Sequence, residues 1–214
     1  PPATDQEKRR GHHMPKGYII GHITVTDLEP YKEYVARDTP ILLSYGARPL
    51  VRGGQAEVVE GTANERHVVF EFDSYDTALK AYHDPDYQEV AKIRRANATS
   101  AIMVAEGNDE DLPEPAGEAP PGYLIAHVTV NDPEAYKPYV DGNTPIMRGH
   151  GARYIVRGGR AEVLEGELGA RHVVIAYPSY DAAKAAYHDP AYQDLVKIRQ
   201  AHSEGTIILV EGAA

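Results

Sequence analysis

The chain has 214 residues, 42% apolar and 25% charged, which suits a soluble globular protein of one large or two smaller domains. Its formal net charge of −10 works against a nucleic-acid phosphate backbone or an anionic membrane as partner, since both need clustered cations. With no cysteine, disulfides, thiolate metal sites and a cysteine nucleophile are excluded, and no apolar run approaches the roughly 18 residues that span a bilayer.

Residues 1–16 are charged and lack an apolar stretch, so they read as a disordered arm and not a secretory signal, with Met14 an alternative start and the cytoplasm the expected location. Gly17–Val25 (GYIIGHITV) is β-branched and apolar, hence a strand. Asp27 offers an N-cap to a helix whose Tyr31, Tyr34, Val35, Ile41, Leu42 and Tyr45 fall at helical spacing, and Gly46 supplies its stop. ARPLVRGG is a second strand closed by a Gly-Gly turn, and AEVVEG either extends it or forms a short extra strand. Arg66–Phe72 is a third strand. Ser74 caps a helix to about Tyr82, Pro85 opens another to about Ala98, and SAIMVAEG is the last strand.

Residues 122–212 then repeat residues 17–107 without a gap, with over half of the positions identical. The segment between them, 108–121 (NDEDLPEPAGEAPP), is acidic and proline-rich and reads as a semi-extended linker. The chain is an internal duplication. Each copy reads β-α-β-β-α-β, the ferredoxin-like split arrangement. Both helices then cover one sheet face, and the second copy can cover the other. The predicted fold is α+β: two ferredoxin-like repeats forming a single-chain barrel, an intrachain pseudo-dimer with room for a further homodimer.

The motifs GYxI, GARxxVRGG, EVxEG, RxVV and YxxPxYQ, present in both copies, with LVEG closing the second, resemble the DUF1330 family. The resemblance covers both repeats and implies the dimeric α/β-barrel fold. That superfamily implies small-molecule work: cofactor-free monooxygenases, lactone isomerases, polyketide cyclases and haem-handling enzymes. The resemblance implies that most members of the family match one repeat and would pair between chains, whereas this chain carries both. Many have Asn-Ser before the proline, where this chain has His83-Asp84 and His188-Asp189.

Strand alternation separates a purely apolar face, assigned to the helices, from a mixed face carrying Tyr18, His22, Arg48, Arg52, His67 and Glu71, assigned to the partner repeat. A bulge near Gly53-Gly54 would shift that assignment. Ionisable groups placed there must pair, hydrate or bind a ligand. In the functional reading His22, His67, His127 and His172, with Glu71, serve as acid–base groups. Arg48, Arg52, Arg153 and Arg157, with Tyr18 and Tyr123, hold an anionic or enolate oxygen. The structural reading is inter-repeat pairing, such as Arg48 with Glu71.

No metal or cofactor is expected. His67 and Glu71 lie about 13 Å apart on a strand and cannot share an ion, and the spacing of His22 and His67 is not diagnostic. VRGG reads as a hairpin or bulge turn, not a phosphate loop. The repeated YHDPxYQ reads as a helix–helix joint, with Asp84 the N-cap, Pro85 in the first turn and His83 at the preceding helix end. His83-Asp84 and His188-Asp189 as dyads at a pocket mouth are the functional alternative. The expected activity is isomerase- or cyclase-type acid–base chemistry on a small oxygenated substrate, with cofactor-free monooxygenation and a non-catalytic barrel as alternatives.

Overall fold

A computed structural model of the protein describes residues 14–108 and 119–214. Most of the expected arm and linker lies outside the described residues. The first repeat comprises β1 (Gly17–Val25), α1 (Leu28–Ser44), β2 (Arg48–Arg52), β3 (Ala56–Glu60), β4 (Arg66–Phe72), α2 (Tyr75–Tyr82), α3 (Pro85–Asn97) and β5 (Ala98–Glu106). The second follows the same order: β6 (Gly122–Val130), α4 (Pro133–Gly149), β7 (Arg153–Arg157), β8 (Ala161–Glu165), β9 (Arg171–Tyr177), α5 (Tyr180–Tyr187), α6 (Pro190–His202) and β10 (Ser203–Glu211).

Each repeat pairs its own strands in the order β2-β4-β1-β5 or β7-β9-β6-β10, all antiparallel. The fifth strand of each sheet comes from the other repeat. Strand β3 adds to β10, pairing Ala56 with Val210, and β8 adds to β5, pairing Ala161 with Ala105. AEVVEG is therefore the extra strand, and it belongs to the opposite sheet. Gly61 ends this crossing strand at φ +69°, where a Cβ would stand 2.5 Å from the Gly205 carbonyl oxygen. Only glycine allows that turn and that approach.

The exchange is fastened by carboxylates. Glu165 of β8 accepts from Arg94 Nη1 and Nη2 at 2.8 Å each and from the Tyr82 hydroxyl at 2.6 Å. Glu60 of β3 takes the mirror position, accepting from Arg199 Nη1 at 2.8 Å and the Tyr187 hydroxyl at 2.6 Å. Arg94 is fully buried because Tyr87, Val90, Ala91 and Arg94 form one helical stripe.

The inner sheet faces meet in a shared apolar layer that includes Ile20, Val69, Met103, Ile125, Val174 and Ile208, all fully buried. Each such side chain contributes about 1.5–3 kcal/mol by leaving water. The helices cover the outer faces. The joint forms as read: Asp84 accepts from the Asp86 and Tyr87 amides, and His83 is the C-cap of α2.

Candidate functional site

Strand β1 pairs with β4 so that His22 lies opposite His67, and β6 pairs with β9 so that His127 lies opposite His172. All four side chains point to the inter-sheet layer and are buried. There they form one continuous line. His67 Nδ1 lies 2.8 Å from His22 Nδ1, His22 Nε2 lies 2.7 Å from His127 Nε2, and His127 Nδ1 lies 2.9 Å from His172 Nδ1. The middle link crosses between the repeats.

Elementary counting orders the hydrogens. Each link needs one, and each neutral imidazole carries one. If His22 bears its hydrogen on Nε2, His127 accepts there and donates from Nδ1. His172 then accepts at Nδ1 and keeps its hydrogen on Nε2, while His67 donates to His22. The mirror case runs the other way. A neutral chain thus has two fully satisfied states of opposite polarity, with the spare hydrogen on the outer Nε2 of His172 or of His67. A proton added at one outer nitrogen can be released at the other by transfer along the links, which reverses the polarity.

Burial keeps the chain neutral. It lowers the His22 pKa to about 3, with the neighbouring His67 adding repulsion, and it lowers His67 to about 4. Desolvation followed by repulsion from His22, His172 and His67 holds His127 well below the ordinary range, and burial also lowers His172.

His22 and His127 line an open cleft of about 630 Å3, whose wall also includes Asn64, Thr129, Glu167 and Glu204. Asn64 is set by donating Nδ2 to the His22 carbonyl at 3.0 Å and accepting from Thr24 Oγ1 at 3.0 Å. The matching residue in the second repeat is Gly169, so the cleft is asymmetric. With Glu167 and Glu204 exposed on its wall, it favours neutral over anionic molecules.

The other expected site residues divide into three groups. Tyr18 does face the partner repeat, donating to Glu71 Oε2 at 3.1 Å, and Arg48 Nη2 donates to Glu71 Oε1 at 2.9 Å. Burial, followed by the Glu71 charge, raises the Tyr18 pKa. Glu71 is thereby spent on pairing, away from the histidines. In the second repeat Tyr123 is buried in the same layer, and Arg153 lies opposite Ala176, the counterpart of Glu71.

Arg52 and Arg157 correct the expected face. The register shifts between Pro49 and Val51, and between Tyr154 and Val156. Leu50 occupies the irregular position, so Val51 turns to the inter-sheet layer and Arg52 lies opposite Val68 on the helix side. Arg52 and Arg157 donate to Thr39 and Thr144 on α1 and α4.

At the joints Asp84 accepts from the Tyr45 hydroxyl at 2.6 Å, and Asp189 meets His150 Nε2 at 2.8 Å. His83 and His188 stand edge-on against Tyr82 and Tyr187. No bond joins either histidine to its aspartate among the described residues.

Two features escaped the sequence reading: the exchanged strands with Glu60 and Glu165, and the polar cavities on the helix side. The signal for the first was present, since Arg94 and Arg199 sit on otherwise apolar helical stripes. Among the described residues no group of three or more metal-ligating side chains converges. Both nitrogens of His22 and of His127 bond to other rings, so neither central histidine offers a free nitrogen to a haem iron in the cleft.

A family model described as "Domain of unknown function (DUF1330)" matches residues 16–108 and 121–213. A search of curated proteins finds no match. Among solved structures, an anthrone oxidase-like protein is 15% identical with a TM-score of 0.51, covering 92% of this chain and 91% of its own. A proposed monooxygenase from Fusobacterium nucleatum is 12% identical with a TM-score of 0.52, covering 95% and 94%. A mutant chlorite dismutase from Candidatus Nitrospira defluvii is 9% identical with a TM-score of 0.52, covering 93% and 92%. At such identities these likenesses establish the dimeric α/β-barrel fold alone.

Proposed function

This chain belongs to the DUF1330 family, carrying the domain twice, and from that premise we propose that it is a small-molecule enzyme of the acid–base class. The observation that carries this reading is the buried histidine line reaching an open cleft. A neutral, enolisable substrate in the cleft, over the His22–His127 link, gives a proton to whichever Nε2 is accepting. The link opens, and the new enolate forms an ion pair with the imidazolium, which offsets the burial that otherwise keeps histidine neutral. Return of the proton to a different carbon completes an isomerisation; attack of the enolate carbon on a second carbonyl of the same molecule, whose new oxyanion takes the proton from the imidazolium, completes a cyclisation. Cofactor-free oxygenation of a phenol begins with the same proton transfer.

The structural alternative has its own support, because both nitrogens of each central ring are already bonded, which suits a lock between repeats. One experiment separates them. A panel of β-diketones, unsaturated lactones and phenols is incubated in D2O, and carbon-bound hydrogen exchange is followed by NMR, with oxygen uptake recorded alongside. Catalysed exchange by the native chain that is lost in His127→Gln supports the enzyme. No catalysed exchange across the panel, or undiminished exchange in His127→Gln, refutes it.

A further inference from the structure

The duplication supplies an internal comparison across the cleft. Thr24 on β1 and Thr129 on β6 are matching residues, each two places beyond a central histidine, on the same strand face and about 7 Å along. Their cross-strand neighbours differ. Thr24 lies opposite Thr99, whereas Thr129 lies opposite Glu204. Side chains paired in this way on an antiparallel sheet stand about 5 Å apart.

In the first repeat this place is taken. Asn64 reaches over β1, its Oδ1 accepting from Thr24 Oγ1 at 3.0 Å and its Nδ2 donating to the His22 carbonyl at 3.0 Å. The Glu65 amide donates to Thr24 Oγ1 at 3.3 Å. The Thr24 hydroxyl has then given its one hydrogen and accepted another. In the second repeat the loop carries Gly169, where a Cβ would stand 2.8 Å from the Val128 nitrogen. That residue lies close on β6 and sends no side chain over Thr129. The cleft wall records the difference, for it includes Thr129 and Glu204 but neither Thr24 nor Thr99. Both wall residues are exposed, and among the described residues no hydrogen bond reaches either side chain.

Thr129 has a hydrogen to give, and the Glu204 carboxylate has only lone pairs. A ligand hydroxyl answers both, accepting from the one and donating to the other. A ligand carboxylate is repelled by Glu204, and an ammonium offers Thr129 no acceptor. We propose that Thr129 and Glu204 form the specificity anchor of the cleft, holding the hydroxyl of a neutral hydroxylated ketone so that its reacting carbon lies over His127. The proposal deepens the acid–base reading, on which it rests for the place of the reacting carbon. It makes the second repeat the active half, with Asn64 closing the first.

The test compares 4-hydroxycyclohexanone with cyclohexanone, each titrated into the full chain in D2O. NMR follows affinity, nuclear Overhauser contacts and hydrogen exchange beside the carbonyl. The native chain is expected to bind the hydroxylated ketone about tenfold more tightly, the equivalent of one hydrogen bond to a charged acceptor, with contacts to the Thr129 methyl. Thr129→Val and Glu204→Ala, both at exposed positions, should each weaken the hydroxylated ketone several-fold more than cyclohexanone, whereas a loss of fold would weaken both alike. Selective binding without hydrogen exchange keeps the anchor and refutes the acid–base reading. Exchange without selectivity keeps that reading and refutes the anchor. No binding of either ketone, contacts confined to Thr24, or a preference unchanged in Thr129→Val and Glu204→Ala overturns the proposal.

Discussion

Replacing Glu165 by glutamine probes the link that fastens each repeat to the other. Arg94 is fully buried beneath this carboxylate, whose own side chain is only 15% exposed. Burial by itself raises the Glu165 pKa, but hydrogen bonds from Arg94 and Tyr82 and the charges of Arg94 and Arg95 outweigh it, bringing it from 4.5 to about 2. At roughly 1.4 kcal/mol per unit, the ionised form is favoured by about 3 kcal/mol in the folded state. Glu165→Gln leaves Arg94 charged and buried without its counter-ion, so a loss of about 3 kcal/mol is expected at pH 7. The folded pKa lies below the unfolded one, so this contribution is complete above about pH 4.5 and is lost as the pH falls toward 2. Urea unfolding of both proteins between pH 7 and 3 reads the gap directly. A gap under about 1 kcal/mol at pH 7, or one that does not narrow between pH 5 and 3, would refute the reasoning.

The histidine line has the opposite charge logic. With His22 held at about 3 and His67 at about 4, both from 6.5, stability is complete above pH 6.5 and falls below it as the unfolded chain takes up protons. The slope of unfolding free energy between pH 6 and 4 should be shallower by about 1 kcal/mol per pH unit in His22→Phe, and an unchanged slope would count against a buried neutral line. Nitrogen-15 NMR should find neutral tautomers at all four rings at pH 7, and still at His22 at pH 5, with exchange broadening from the two polarities; an imidazolium signal under these conditions would contradict the hydrogen count. Residues 14–108 alone lack the partner strand for β5, so they should form a dimer in which β3 and Glu60 take the place of β8 and Glu165. Light scattering reads this, and a folded monomer would show that the exchange is dispensable.

How far the sequence reaches is clear from particular residues. Local chemistry marked the strands: Gly17–Val25 and Arg66–Phe72 have the expected bounds. The caps at Ser74 and Asp84 and the stop at Gly46 are where side-chain bonding and glycine freedom put them. Alternation along β1 and β4 also placed His22 and His67 on the inner face, because period-two geometry is intrinsic to a strand. Alternation failed at Arg52, where one irregular residue reverses every side chain that follows.

The sequence by itself determined the duplication, the two ferredoxin-like repeats and the inward direction of the histidines, since these follow from periodicity and from residues near one another in the chain. Only the tertiary structure decided which sheet AEVVEG joins, because a strand's edge does not record its partner. It also decided that His22 meets His127, a contact across 105 residues that exists only once two sheets face each other. The same holds for Thr129, whose meaning emerges only when Thr24 is seen bonded to Asn64 in the matching place.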